Sequence, residues 1–266
     1  MRILITGGVG FIGSNLINYL SKKRTINKII VVDNFSKSNL KNLKKDLDYK
    51  YYANFRTYKK SRKIIEIVNV DISNYNAAIS LTKEIDYVVH LAGLSRPMSS
   101  HETHLSKSIN LNIIGTSNLV RACSELNIKI IYFSTSYVYP GKKGDYKETD
   151  PVLPWNNYAW SKLGGECAVQ MYKNSLILRA CMTEKPFVHK KAFSNIKLNF
   201  IYHEDIAKIL FKIINKKGIL NIGGKTRTVY DFAKKYNPYV KKVRSNKQFP
   251  PKPYMNLSKL YRIKKI

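Results

Sequence analysis

Cysteine is scarce in this chain, acid is far scarcer than base, and no apolar run is long. The three cysteines, Cys123, Cys167 and Cys181, lie far apart and lack the spacing of metal ligands. No metal site is expected, and a reduced, cytoplasmic protein accounts for them most simply. No apolar stretch approaches the roughly 18 residues of a membrane span, so no membrane partner is expected. The N-terminal apolar stretch is short and runs straight into glycine, so it reads as a first strand and not as a signal peptide. There is no internal repeat and no low-complexity linker.

Only 17 residues are Asp or Glu, against 47 Lys or Arg, for a formal net charge of +30. Such an excess marks a polyanion-binding surface when it is clustered. Here the lysines are spread along the whole chain, the pattern of a compositional bias on solvated faces, and nucleic acid is not expected as a partner. The Arg56–Lys63 run, interleaved with Tyr51, Tyr52, Phe55 and Tyr58, is the best local candidate for an anion contact. The 44 % apolar fraction is ordinary for a globular chain, and 266 residues suffice for one or two domains with a sizeable core.

What is present is concentrated at the N-terminus. An apolar run, Met1 to Thr6, meets glycines spaced Gly7-x-x-Gly10-x-x-Gly13. A helical pattern opens inside that loop, with Ile12, Leu16, Ile17 and Leu20 on one face. A second apolar run, Lys28 to Val32, ends in Asp33. This strand–loop–helix–strand unit is the form that binds a dinucleotide. Gly7 permits the tight turn. Gly10 lets a pyrophosphate approach the backbone, where the helix start at Phe11 and Ile12 offers free N–H groups and partial positive charge. Gly13 lets the helix pack close on the strand. Asp33 stands where a carboxylate accepts hydrogen bonds from the adenosine ribose, which favours NAD, because a 2′-phosphate would be repelled.

Further strands are expected at Ile64–Val70, Tyr87–Leu91, Ile128–Phe133 and Leu176–Arg179. Helices are expected to Asp46, over Tyr75–Lys83, over His104–Leu126, and from Asn157 to about Tyr172. Tyr49–Lys63 reads as a long connection. Strands alternating with helices at this spacing predict an α/β fold with a doubly wound parallel sheet, the Rossmann arrangement, and place a ligand crevice at the carboxyl ends of the strands. Gly10, Asp33, Asp71, Ala92 and Ser134 all fall at such ends.

The fifth of these strands runs out into Ser134-Thr135-Ser136, and a helix beyond it carries Tyr158-x-x-x-Lys162. That spacing puts phenol and ammonium on one helix face. A nearby ammonium is expected to pull the tyrosine pKa below its usual value near 10, so that Tyr158 exchanges a proton with an alcohol or ketone. A hydroxyl at the strand end can hold the same oxygen. Other conspicuous residues read as structural: His90 as a packed core histidine, His203 as a helix-start residue, Cys181 as a small buried hydrophobe, Asp205 as a partner for a nearby cation. Trp155, Tyr158 and Trp160 form an aromatic cluster suited to base stacking or to packing at an interface.

Taken together, Thr6 to Gly13, Asp33-Asn34, Asp71, His90-Leu91-Ala92-Gly93, Asn112-x-x-Gly115-Thr116, Ser134-Thr135-Ser136 and Tyr158-x-x-x-Lys162 resemble the extended short-chain dehydrogenase/reductases. Within them the chain is most similar to the NAD-dependent epimerase/dehydratase family that acts on nucleotide sugars. The N-terminal third looks most like UDP-glucose 4-epimerases and the middle like dTDP-4-dehydrorhamnose reductases. The resemblance is dense to Arg179 and resumes at Asn199–Ala207 and Leu220–Gly224. It implies an NAD-binding Rossmann domain over 1–179 and a small, reduced substrate-binding lobe over 180–266, interleaved with the last Rossmann elements. It also implies a homodimer built on the helices near His104–Leu126 and Asn157–Tyr172.

By position, Thr135 would hold the reacting oxygen, Tyr158 would be the acid/base, and Lys162 would bind the nicotinamide ribose and tune Tyr158. Asn34 would join Asp33 at the cofactor. Asp71 and Ile72 would contact the adenine, Leu91, Ala92 and Gly93 would line the cofactor cleft, and Ser134 would sit beside the nicotinamide. The family's 4,6-dehydratases carry an Asp-Glu pair directly after the threonine. Ser136 and Tyr137 occupy those positions here, which predicts no acid for water elimination. Epimerisation and simple ketoreduction remain as enzyme readings, beside a non-catalytic, cofactor-holding relative acting as a sensor or interaction protein.

Overall fold

The computed structural model describes residues 1–185, 187–245 and 249–264. Strand β1 (Arg2–Thr6) leads through the glycine loop into α1 (Phe11–Leu20) and β2 (Lys28–Asp33). Next come β3 (Tyr49–Tyr52), β4 (Ile65–Asn69), α2 (Tyr75–Thr82), β5 (Tyr87–His90), α3 (Ser100–Thr103) and α4 (Leu105–Ile109). A π-helical turn (Asn110–Ile114) joins α4 to α5 (Gly115–Glu125), followed by β6 (Lys129–Thr135), α6 (Asn157–Gln170) and β7 (Ser175–Ala180). The remaining third carries short strands β8 (Met182–Thr183), β9 (Lys191–Phe193), β10 (Lys197–Leu198) and β11 (Ile201–Tyr202), then α7 (His203–Ile213) and β12 (Gly218–Ile222). It ends with β13 (Arg227–Thr228), α8 (Val229–Lys234), β14 (Lys241–Val243) and α9 (Ser258–Lys264).

Eight parallel strands form the main sheet in the order β12-β7-β6-β5-β1-β2-β4-β3. The order reverses beside β1, where a doubly wound sheet opens its ligand crevice. Strand β2 is buried at every position, and β6 and β7 likewise, as expected of strands covered on both faces. One face packs under α1 and α7, the other under α2, α5 and α6, giving two apolar clusters. Helix α7 places Ile206, Leu210 and Ile213 wholly inside the first; each such side chain contributes about 1.5–3 kcal/mol by leaving water. A third cluster, around Tyr146, Leu198, Phe232 and Leu257, forms the core of the small C-terminal region. Residues beyond 179 are not confined to that region, since α7 and β12 return to the main sheet.

Three expected elements turn out differently. No helix runs to Asp46; a single 3-10 turn covers Leu40–Asn42. Side chains here bond to neighbouring loops instead: Ser38 donates to Asp33 Oδ1 (2.7 Å) and Asn42 Nδ2 to the Val9 carbonyl (2.9 Å), a local competition that disfavours helix. Tyr49–Lys63 is not a bare connection, because Tyr49–Tyr52 pairs with β4 as an edge strand. Its tyrosines suit a half-buried strand, but four residues with a lysine among them carry no clear alternation. The expected His104–Leu126 helix is broken in register by the π turn, which the bonding of Asn112 described below explains.

The Arg56–Lys63 run is partly neutralised, with Arg56, Lys59 and Arg62 left without an ion pair among the described residues. Lys60 pairs with Glu84 and Lys63 with Asp48, while the interleaved aromatics pack locally, Tyr52 edge-on to Tyr58 at 5.1 Å between ring centroids. No helix among the described residues is long and apolar enough to cross a membrane, and no cluster of metal-ligating side chains occurs among them.

Candidate active site

The glycine loop shapes the first half of the crevice. Gly7 sits at φ +65°, and a Cβ there would stand 2.7 Å from the Ala92 nitrogen. A Cβ on Gly13 would stand 2.4 Å from the Gly8 Cα, so α1 can pack this close only with glycine. Gly10 caps α1 without a side-chain hydrogen bond, and the first turn holds no acid, so the N–H groups around Phe11 and Ile12 face the crevice uncapped. These features fit a dinucleotide pyrophosphate.

Asp33 is buried at the end of β2. Its Oδ2 accepts the Val9 N–H (3.0 Å); its Oδ1 accepts the Phe35 N–H (3.0 Å) and the Ser38 hydroxyl. Oδ2 keeps one open acceptor position for a ribose hydroxyl. Asn34 donates to Asp71 Oδ2 (2.7 Å), and Asp71 Oδ1 accepts the Ser73 N–H (2.8 Å). Burial works to raise the Asp71 pKa, but the bonds from Ser73 and Asn34 and the charge of Lys107 outweigh it and hold the pKa low. Ile72 lies in the core, packed on Gly115.

The loop after β5, with Leu91, Ala92 and Gly93, is fixed by two buried clamps. Thr116 Oγ1 donates to the Asn112 carbonyl (2.8 Å), so it must accept from His90 Nε2 (2.9 Å); His90 Nδ1 then accepts from Thr6 Oγ1 (2.7 Å). Burial pushes the His90 pKa down to about 3 and keeps the ring neutral, a packed core histidine as expected. Asn112, on the π turn, bonds Leu94 through both its oxygen (2.7 Å) and its nitrogen (2.9 Å), and also reaches Ser161 Oγ (2.8 Å). One side chain thus ties the cofactor loop to the turn of α6 between Tyr158 and Lys162.

Helix α6 starts at an Asn156 cap, whose oxygen accepts the Ala159 N–H (2.8 Å). It lies close on the π turn through Gly164 and Gly165; a Cβ on Gly165 would stand 2.5 Å from the Asn112 carbonyl oxygen. The structure brings Thr135, Tyr158 and Lys162 to the same end of the crevice. Thr135 Oγ1 accepts the Tyr137 N–H (3.2 Å) and, bonded to the phenol, pulls the Tyr158 pKa down.

The expected low pKa of Tyr158 is overturned. Burial raises it to about 12, against the opposing pull of Thr135 and Arg96. The expected helper is weakened as well: burial lowers the Lys162 pKa to about 7, so its charge is only partial near neutral pH, and its Nζ lies over the Tyr132 ring, 4.2 Å from the centroid. In this state the phenol is a proton donor.

Ser134 is also placed differently from expectation. Its hydroxyl donates to Glu166 Oε2 (2.7 Å) on the far side of the strand from Thr135, because successive residues of a strand face opposite ways. Glu166, fully buried, pairs with Arg179 (2.5 Å), which also donates to the Tyr139 hydroxyl (2.9 Å) and the Glu148 carbonyl (3.2 Å). Sequence reasoning passed over Glu166, Gly164 and Gly165; the only available signal was their position one and two turns beyond Tyr158.

The aromatic cluster forms without Trp160, which is half exposed on the outer face of α6. Tyr158 instead meets His101 at 5.2 Å and Tyr137 at 6.4 Å, and Tyr137 meets Trp155 at 4.9 Å. His101 was not anticipated. Its Nδ1 bonds Ser108 Oγ (2.7 Å), while its Nε2 and the Trp155 Nε1 are buried without a hydrogen-bond partner among the described residues. At the crevice mouth Arg96 pairs with Glu184, and His203 stacks on Phe11 at 6.4 Å. Cys181 is buried, with its thiol pushed up to about 12 by burial, and Asp205 pairs with Lys208 at 3.8 Å.

Known proteins share this fold. The model of the NAD dependent epimerase/dehydratase family matches residues 3–188. A dTDP-D-glucose 4,6-dehydratase of Dictyostelium discoideum is 32 % identical over 267 residues, covering 84 % of this chain and 58 % of that protein. A hypothetical dTDP-4-dehydrorhamnose reductase from Sulfolobus tokodaii superimposes with a TM-score of 0.78 at 23 % identity, covering 99 % of this chain and 94 % of the other. The NAD-bound dTDP-glucose 4,6-dehydratase DesIV of Streptomyces venezuelae, a double mutant, gives 0.80 at 21 % identity, covering 98 % and 90 %. The chain belongs to the NAD-dependent epimerase/dehydratase family, an extended short-chain dehydrogenase/reductase group, and NAD is its cofactor. It spans a little over half the length of the Dictyostelium dehydratase.

Proposed function

We propose that this protein is an NAD(H)-dependent nucleotide-sugar epimerase or ketoreductase acting by hydride transfer at a sugar carbon. The observation that carries this reading is the juxtaposition of Thr135, Tyr158 and Lys162 with two buried polar atoms, His101 Nε2 and Trp155 Nε1, that have no hydrogen-bond partner among the described residues. Buried polar groups are normally bonded, so such a pair beside a reactive phenol suits a ligand dense in hydroxyls. The cofactor, when bound, supplies the hydride acceptor and donor. Thr135 holds the reacting oxygen. Tyr158 gives its proton to that oxygen as a ketone is reduced and takes it back as an alcohol is oxidised. Lys162, near its own titration point, gains charge beside an anionic ligand and then lowers the cost of the phenolate. Residues 180–266 supply the sugar-side wall of the crevice, and the high Tyr158 pKa favours the reductive half-reaction.

The test is hydride exchange between NAD(H) and a panel of UDP-, dTDP-, GDP- and CDP-sugars. Exchange or epimerised product supports the reading. A chain that binds NAD tightly and exchanges hydride with none of them is the sensor or interaction relative, a reading favoured by the Arg96–Glu184 pair across the crevice mouth. Ser136 and Tyr137 provide no carboxyl, so no 4-keto-6-deoxy product is expected from dTDP- or CDP-glucose.

A homodimer is proposed through the outer faces of α4–α5 and α6. Leu105, Ile109, Ile114, Trp160 and Met171 stand exposed there. Light scattering at micromolar concentration is expected to give twice the chain mass, and Trp160→Glu to shift it toward the monomer.

A further inference from the structure

One cavity lies apart from the crevice at Tyr158. It has a volume of about 530 Å³ and lies between α7, the Gly223–Arg227 loop, α8 and α9. None of the glycine-loop residues, Thr135, Tyr158 or Lys162 lines it. Five cations do: Lys208 and Lys212 from one face of α7, Lys225 and Arg227 from the loop after β12, and Lys235 at the end of α8. The single carboxylate on its wall is Asp205, which already pairs with Lys208. Lys212, Lys225, Arg227 and Lys235 form no ion pair among the described residues. Four unneutralised charges around one concavity repel each other and focus a positive potential into it.

The floor and rim are aromatic. Tyr202 and Phe232 pack at 5.1 Å, Tyr202 and Tyr236 at 5.0 Å edge-on, and Tyr236 and Tyr261 leave substantial ring surface exposed. The Tyr202 hydroxyl is buried in this wall without a hydrogen-bond partner among the described residues. Lys185 adds a sixth cation, 5.9 Å from the Tyr202 ring and 5.8 Å from that of Tyr236. The volume lies in the range of small-ligand sites. We propose that this cavity is a second binding site, separate from the hydride-transfer crevice, for a nucleoside diphosphate: its phosphates among Lys212, Lys225 and Arg227, its base against Tyr236 and Tyr261. Phosphates answer the unpaired cations, and a base answers the exposed rings.

The test is photolabelling of the full chain with 8-azido-ADP and, separately, 5-azido-UDP, followed by peptide mapping. Label is expected on peptides containing Tyr236 or Tyr261, apart from any label on the glycine-loop peptide. Lys212→Ala/Arg227→Ala is expected to cut the first label about tenfold and leave the second unchanged, with an unaltered melting temperature confirming the fold. Unlabelled ADP or UDP is expected to compete at least tenfold better than the matching nucleoside or inorganic pyrophosphate. Label confined to the glycine loop with both probes overturns the proposal, as does labelling indifferent to the double substitution. Pyrophosphate competing as well as the nucleotides would reduce the cavity to a bare anion patch, and a single-stranded RNA oligonucleotide competing best would make it a nucleic-acid surface; either result overturns the proposal.

Discussion

The glycine-loop crevice and the α7–α9 cavity are both suited to anions, and they are built in opposite ways. The crevice uses backbone: uncapped N–H groups at the start of α1, with close approach secured by Gly7 and Gly13. The cavity uses side chains drawn from three separate stretches, with no comparable backbone feature. Backbone recognition needs a contiguous run with special residues at fixed offsets. Side-chain recognition needs only that the chain bring charges together, and leaves no local pattern. The catalytic end mixes the two styles: Tyr158 and Lys162 share one helix turn, but Thr135, His101 and Trp155 arrive from elsewhere.

The sharpest break in the comparison is expected at the crevice. Tyr158→Phe should leave NAD bound and lower turnover by roughly 10²–10⁴-fold, the range for losing a general acid/base. Thr135→Val should act mainly on the same chemical step, and Lys162→Met should weaken NAD binding as well. Steady-state kinetics beside cofactor titration separates the three. None of these substitutions should alter labelling at the α7–α9 cavity.

Next in size is the buried pair beneath the site. Glu166→Gln leaves the Arg179 guanidinium buried without its counter-charge and should destabilise the fold by about 3–5 kcal/mol in chemical denaturation. Arg179→Met should cost a similar amount. No substitution of Lys212, Lys225 or Lys235 should approach this, because those side chains are exposed and form no ion pair among the described residues.

A pH dependence of stability is also expected. Lys162 is held near 7 in the folded chain by burial, against about 10.4 when unfolded. From about pH 10 down to about pH 7 the unfolded chain takes up the proton first, so stability is lost over that window as pH falls. Below about pH 7 both states are protonated and the loss is complete. Lys129, lowered by burial to about 8, adds a contribution of the same sign. Denaturation at pH 7 and pH 9.5 should show the wild type gaining stability at the higher pH, and Lys162→Met gaining less.

From the residues alone, the α/β sheet, the glycine-loop unit and the pairing of Tyr158 with Lys162 on one helix face were legible, because each is encoded at short range: an apolar run, a glycine spacing, an i, i+4 pair. The edge strand at Tyr49–Tyr52 was not, because a short strand acquires its identity from the neighbour it pairs with. The π turn at Asn110–Ile114 was not, because it is fixed by Asn112 reaching Leu94 and Ser161, 18 and 49 residues away. Protonation lay further still from the sequence. The i, i+4 spacing predicted a low tyrosine pKa, whereas burial of both groups raised Tyr158 and lowered Lys162, a desolvation effect no spacing records.

Charge divides the two levels most clearly. The sequence by itself determined that the chain carries +30 and that its lysines are dispersed. Only the tertiary structure decided that Lys60 and Lys63 meet acids while Lys212, Lys225, Arg227 and Lys235 meet each other around one cavity. The physical reason is range: a backbone motif is written in consecutive residues, whereas an electrostatic site is set by distances that exist only after the helices have packed.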